Sequence, residues 1–144
     1  MNPYAIRFTV VGEPAPAGSK AHGRRKDGTI FTYDMGERRK TKPRTSHWKK
    51  LVRTAAITAM IGRDPLEGPL HLVLKFWLPR PQSVSEKKRP YPTVAPDLTK
   101  LVRSTEDAMK GVVWRDDSQV IRQHAIKVYG DPPAAEIVVH PIDT

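Results

Sequence analysis

The sequence predicts an α+β fold, a small sheet with two main helices packed on it. Three observations carry that reading. Apolar residues alternate with a period of two over residues 4–10 and 70–78, and they recur at helical spacing over residues 48–59 and 98–112. The two kinds of segment are interleaved along 144 residues, with no internal repeat. That length predicts a single domain, 1–144, able to bury a core without staples. The absence of cysteine excludes a disulfide framework, thiolate metal sites and a cysteine nucleophile. No stretch approaches the ~18 uninterrupted apolar residues that a membrane span needs, so a soluble protein with no membrane partner is expected; a cytoplasmic protein fits the absence of cysteine, and no nucleotide cofactor is expected.

The first strand is expected over residues 4–10, where Tyr4, Ile6, Phe8 and Val10 face one way and Ala5, Arg7 and Thr9 the other. Prolines and glycines then open a basic loop over about 12–44, with a hairpin or mobile loop around Asp27 and Gly28. Helix one follows Pro43, capped by Thr45 or Ser46 and ended by Gly62, with Trp48, Leu51, Val52, Ala55 and Ala59 on its inner face. Leu70, Leu72, Leu74, Phe76 and Leu78 give the second strand an apolar inner face. From about 79 to 96 the chain carries Pro79, Pro81, Pro90, Pro92 and Pro96, and neither a helix nor a central strand survives that density.

Helix two starts at Asp97, which can cap its first turn, and Gly111 closes it. Leu98, Leu101, Val102, Thr105, Ala108, Met109 and Val112 share its inner side, while Thr99, Arg103, Glu106 and Lys110 line the outer side. Two strands, 119–129 and 134–140, end the chain around a turn at Gly130, Asp131, Pro132 and Pro133.

The formal net charge is +10, and it is unevenly placed. Between Lys20 and Arg53 twelve Lys or Arg stand against three acids. That density repels itself unless a polyanion is near, and phosphate contacts supply salt-sensitive affinity. Phe31, Tyr33 and Trp48 interleave with the charge, which favours a nucleic-acid surface over a solvated arm. The candidate contacts are Lys20, Arg24, Arg25, Lys26, Arg38, Arg39 and Lys40 of the basic loop, Lys87, Lys88 and Arg89 of the Pro-rich loop, and Lys100 of helix two.

Residues 96–120 gather the carboxylates Asp97, Glu106, Asp107, Asp116 and Asp117. Singly, each has a structural explanation: a cap, a solvated helix residue, a polar turn. Together, in a basic chain, they oppose the overall field unless a cation such as a divalent metal on a nucleic acid joins them. A helix start and an acidic turn come together only where the next strand begins beside that start, a geometry the sequence permits. The five histidines, His22, His47, His71, His124 and His140, have no ligand spacing.

The segment resembles the signature of the RusA family of Holliday-junction resolvases, small phage and prophage endonucleases. Those proteins carry Asp-x-Asp at a helix start, a basic residue one turn later, and Asp-Asp-x-Gln-Val after the helix. Asp97, Leu98, Arg103, Asp107, Ala108, Trp114, Asp116, Asp117, Gln119 and Val120 follow that pattern in order. The resemblance implies a RusA-like mixed sheet, a homodimer, branched DNA (a four-way junction) as partner, and Mg²⁺ as cofactor, with Mn²⁺ able to substitute. It also implies that Asp97 and Asp117 are metal ligands, that Asp116 supports them, and that Arg103 stands where the family keeps a catalytic lysine.

One position departs from the pattern. The second acid of Asp-x-Asp is Thr99 here, and a hydroxyl is a far weaker ligand for magnesium than a carboxylate. Either Glu106 takes over, or Asp116 completes the site, or the protein binds junctions and cuts them weakly. The expected chemistry is metal-assisted phosphodiester hydrolysis, with Arg103 on the transition-state charge. A non-catalytic or weakly catalytic branched-DNA-binding protein is the alternative.

Overall fold

The computed structural model describes residues 4–18, 20–35 and 44–143, with the side chains of Lys20 and Asp34 excepted. Arg38, Arg39 and Lys40 of the expected basic surface lie outside the described residues. The elements run β1 (Ile6–Val11), β2 (Lys20–Arg24), β3 (Ile30–Asp34), α1 (Thr45–Ala59), β4 (Leu70–Leu78), α2 (Leu98–Met109), β5 (Val120–Tyr129) and β6 (Ala134–Pro141). Four strands form one sheet in the order β1-β6-β4-β5, and β2 and β3 form a separate antiparallel pair.

The sheet is mixed. β6 lies antiparallel to both β1 and β4, whereas β4 and β5 are parallel. A parallel pair needs a long crossover, and here the crossover consists of the Pro-rich segment and α2. Leu70, Leu72, Leu74 and Phe76 are fully buried on one face of β4, where Trp48, Val52 and Ala56 of α1 and Leu101 and Met109 of α2 join them in a single core. His71, Val73, Lys75 and Trp77 alternate onto the other face, and none of them is buried.

The helices are locked by one buried polar contact. Trp48 Nε1 donates to Thr105 Oγ1 at 3.1 Å, and that hydroxyl in turn donates to Leu101 O at 2.8 Å, so the indole N–H is satisfied inside the core. The start of α1 differs from expectation. Its N-cap residue is Arg44 and no side chain caps it. Thr45 is buried instead and donates to Pro16 O at 2.7 Å, because tying the helix to the segment after β1 satisfies its hydroxyl where a cap would not. The helix closes on Met60, and Gly62 takes the left-handed turn beyond it at φ +76°. Asp97 is the N-cap residue of α2 by backbone, but its carboxylate makes no cap hydrogen bond.

Between α2 and β5 the chain makes a 3-10 turn over Asp117–Gln119, so β5 begins at Val120, one residue later than expected. A capping box sets that boundary: Asp116 Oδ1 accepts from Ser118 N at 2.9 Å while Gln119 Oε1 accepts from Arg115 N at 3.0 Å and Asp116 N at 3.1 Å. β6 runs one residue further than expected, to Pro141.

Candidate metal and nucleic-acid site

The fold uses the five carboxylates in different ways. Asp116 is consumed by its turn, and its hydrogen bonds with Ser118 hold its pKa below the usual carboxylate value. Asp107 pairs with Lys49 of α1 at 3.7 Å. Asp117 Oδ1 accepts from the indole N–H of the buried Trp114 at 2.7 Å, which orients the carboxylate and leaves its second oxygen for another partner. Glu106 accepts from Gln123 Nε2 at 3.0 Å. Burial, followed by repulsion from Asp117, raises the Glu106 pKa, so the two carboxylates lie within electrostatic reach of each other. Asp97 has only Lys100, at 4.0 Å, as an ion-pair neighbour among the described residues, and its side chain is 67% exposed.

Gln119 was legible only as part of a motif, yet it ties the acidic turn to the rest of the fold. Its Nε2 donates to Leu66 O at 2.9 Å and Gly68 O at 3.1 Å, across to the segment that leads into β4. The Asp-Asp-Ser-Gln-Val stretch therefore splits into two duties. Asp116 and Gln119 build the turn, and Asp117 is presented by it.

Contacts along β5 order the acids in space. Gln123 touches Glu106 in the third turn of α2, while Lys127 Nζ donates to Val94 O and Pro96 O, both at 2.9 Å, beside the helix start. β5 thus runs back along α2, and the acidic turn that precedes it lies toward the helix's far end. Asp97 and Glu106 are nine positions apart, ~13 Å by helix rise. Within one chain Asp97 therefore lies beside the end of β5, while the turn that presents Asp117 precedes its start. Among the described residues no three His, Cys, Asp or Glu gather closely enough to hold a metal ion.

Arg103 projects from the exposed side of α2 and donates weakly to Gly18 O at 3.4 Å. Ala17 N donates to Lys100 O at 2.9 Å and Ser104 Oγ to Ala15 O at 2.7 Å, so residues 15–18 are strapped across the first half of α2.

The basic loop opens into the β2–β3 hairpin. Asp27 Oδ1 accepts from Thr29 N and Oγ1 at 2.9 and 2.6 Å, and Gly28 adopts φ +91°, which together fix the tip. Arg24, Arg25 and Lys26 are exposed there, with the Arg25 guanidinium 4.8 Å from the Phe31 ring centre. In the Pro-rich segment Lys87 and Lys88 are exposed, whereas Arg89 is half-buried and donates to Tyr129 Oη at 2.9 Å. The segment is an ordered wall on β5: the Arg80 guanidinium lies 4.2 Å from the Tyr129 ring centre and donates to Ser85, Arg89 and Pro90 carbonyls.

The family model for endodeoxyribonuclease RusA matches residues 13–140. The chain belongs to the RusA family. It is thus a nuclease of the Holliday-junction-resolvase type at family level, and the acidic turn, α2 and both basic segments lie inside the match. It is also similar to the uncharacterized protein YqaN of Bacillus subtilis (strain 168), 28% identical over 148 residues that cover 95% of this chain and 96% of that protein. Among the described residues no helix of this RusA-family chain is long and apolar enough to cross a membrane.

Proposed function

We propose that the protein cuts four-way DNA junctions in the cytoplasm as a homodimer, and that each of its two sites takes Asp97 from one copy and Asp117 from the other. The whole chain acts as one domain in this reading. The observation that carries it is the separation of these two acids along α2 while neither is used up by the fold. Within one chain the donor set does not close around an ion. A two-fold partner changes that.

Among the described residues β5 is an edge strand of the sheet, with β4 as its one neighbour. Two copies joined antiparallel along that edge set the start of one β5 against the end of the other. The start carries Asp117 and the end lies beside Asp97, so each acidic turn meets the partner's helix start. Ile121 and Ile126, which are 66% and 44% exposed on this strand, gain cover in such a pairing. The symmetry also suits the substrate, since paired cuts on opposing strands of a two-fold junction need two dyad-related sites.

Oxygen-only donors suit Mg²⁺, or Mn²⁺, which when bound lowers the pKa of water and neutralises developing charge at phosphorus. Asp97 and Asp117 are the first donors, with Glu106 replacing the acid missing at Thr99 and Asp116 supporting through the turn. Arg103 would fork onto the phosphate and remain charged throughout, so it stabilises without transferring a proton. Lys20, Arg24, Arg25, Lys26, Arg38, Arg39, Lys40, Lys87, Lys88, Arg89 and Lys100 would track the arms of the junction. The test is incubation with Mg²⁺ and either a synthetic four-way junction or matched linear duplex. Symmetrical nicks on the junction alone are expected, and equal cutting of linear duplex contradicts the reading. Thr99→Asp then measures the departure from the family pattern: with Glu106 as replacement ligand, cleavage rises less than about threefold.

A further inference from the structure

A cavity of 230 Å³ opens beside the start of α2, lined by Leu78, Pro92, Val94, Pro96, Tyr129 and the carboxylate-bearing Glu13, among others. That is roughly eight times the ~30 Å³ that a water takes up in the liquid, space for one ring system and not for a base pair. Its walls are held in place before any ligand arrives, by the Arg80–Tyr129 stack and by Lys127 on the Val94 and Pro96 carbonyls. Glu13 is partly buried, and among the described residues no hydrogen bond or ion pair engages it. Arg80 also lines the cavity, its guanidinium lying over the Tyr129 ring and donating to the Ser85, Arg89 and Pro90 carbonyls; apart from it and Glu13 the lining is apolar or aromatic.

We infer that this cavity receives one unstacked nucleobase of the junction, next to the phosphate held at Asp97, and that Glu13 accepts from its exocyclic amino group. The inference rests on the nuclease reading and extends it from the phosphate to the base. Pro96 lines the cavity and Asp97 follows it, so the nucleotide adjoining the scissile phosphate is the one within reach. A base at an open crossover lacks a stacking neighbour on one side, so it costs less to unstack than a base within an arm. An apolar slot with an aromatic wall takes the ring of any base, and a carboxylate that can only accept favours the exocyclic amino group of cytosine, adenine or guanine over thymine, which has none. Arg80 lines the same opening and Arg89 reaches the Tyr129 hydroxyl beside it, so positive charge adjoins the slot where the backbone would pass.

The experiment uses junctions identical except for the nucleotide adjoining the cut, which carries each of the four bases or none. The wild-type protein is expected to cut the cytosine, adenine and guanine junctions at least about tenfold faster than the thymine or abasic one, and Glu13→Gln to reduce that ratio below about threefold. Rates within threefold across all five junctions, or a full preference retained by Glu13→Gln, overturn the inference. A second measurement needs no cleavage: with Ca²⁺ in place of Mg²⁺, 2-aminopurine at the same position should change its emission when protein binds, and Val94→Trp should suppress the change. Unchanged emission on binding overturns the cavity assignment even if the protein cuts no junction, an outcome that would itself sink the nuclease reading.

Discussion

The two ends of α2 are built on opposite principles. At the far end Asp116, Gln119 and Trp114 lock a turn through a set of hydrogen bonds that spans from Arg115 to Leu66, and Asp117 is held within it. At the near end Asp97 occupies a cap position and does not cap, facing solvent with one distant lysine. A residue that sits where its chemistry could stabilise the fold and does not do so is available for another role. The contrast separates carboxylates spent on local structure from those the proposed reaction would use.

Substitution should expose that division most strongly at Asp97. Asp97→Asn is expected to lower junction cleavage by about 10²-fold or more through loss of a charge that balances the cation, while its thermal midpoint stays at the wild-type value. A falling midpoint would mean that Asp97 serves the fold. Gln119→Ala is the converse case. It removes four hydrogen bonds and should cost about 2–4 kcal/mol in urea unfolding, at ~1 kcal/mol each, with activity falling as a consequence.

Smaller effects distinguish the remaining acids by pH. Asp116 has a depressed pKa in the folded state, so its contribution to stability is present above the usual carboxylate range and is lost as pH falls through the folded value. Asp116→Ala should therefore lower the midpoint at neutral pH, with the deficit narrowing in acid. Glu106 has the opposite shift: its ionisation is penalised in the folded protein, chiefly by burial and then by Asp117. Below the usual range it is protonated in both states and the penalty vanishes, whereas it applies in full once pH exceeds the raised value. Glu106→Gln should raise the midpoint at pH 7 and lose that advantage as pH drops, and no gain at pH 7 would remove the like-charge pair from the account.

Much of this was legible locally. β4 announces itself because every second residue from Leu70 to Leu78 is large and apolar, and α2 because its stripe recurs at three and four residues. The hairpin tip was marked by Asp27 and Gly28, but its strands were hidden, since KAHGR has no alternation and lies in a charge-rich run. Thr45 read as a cap because cap chemistry is local, while its actual acceptor, Pro16 O, is 29 residues away. The parallel pairing of β4 with β5 is equally non-local, and it decides the site. It makes β5 run back along α2, which parts Asp97 from Asp117 although twenty residues of recognisable motif join them.

The most direct test mixes two inactive proteins. Asp97→Asn and Asp117→Asn, each folded by circular dichroism, are unfolded together and refolded as a mixture so that subunits exchange. If sites are shared between copies, each mixed dimer regains one intact site, Asp97 from one chain with Asp117 from the other, and junction nicking returns to roughly a quarter of wild type on statistical pairing. If each chain carries its own complete site, every site in the mixture lacks one carboxylate and nicking stays at the level of the separate variants.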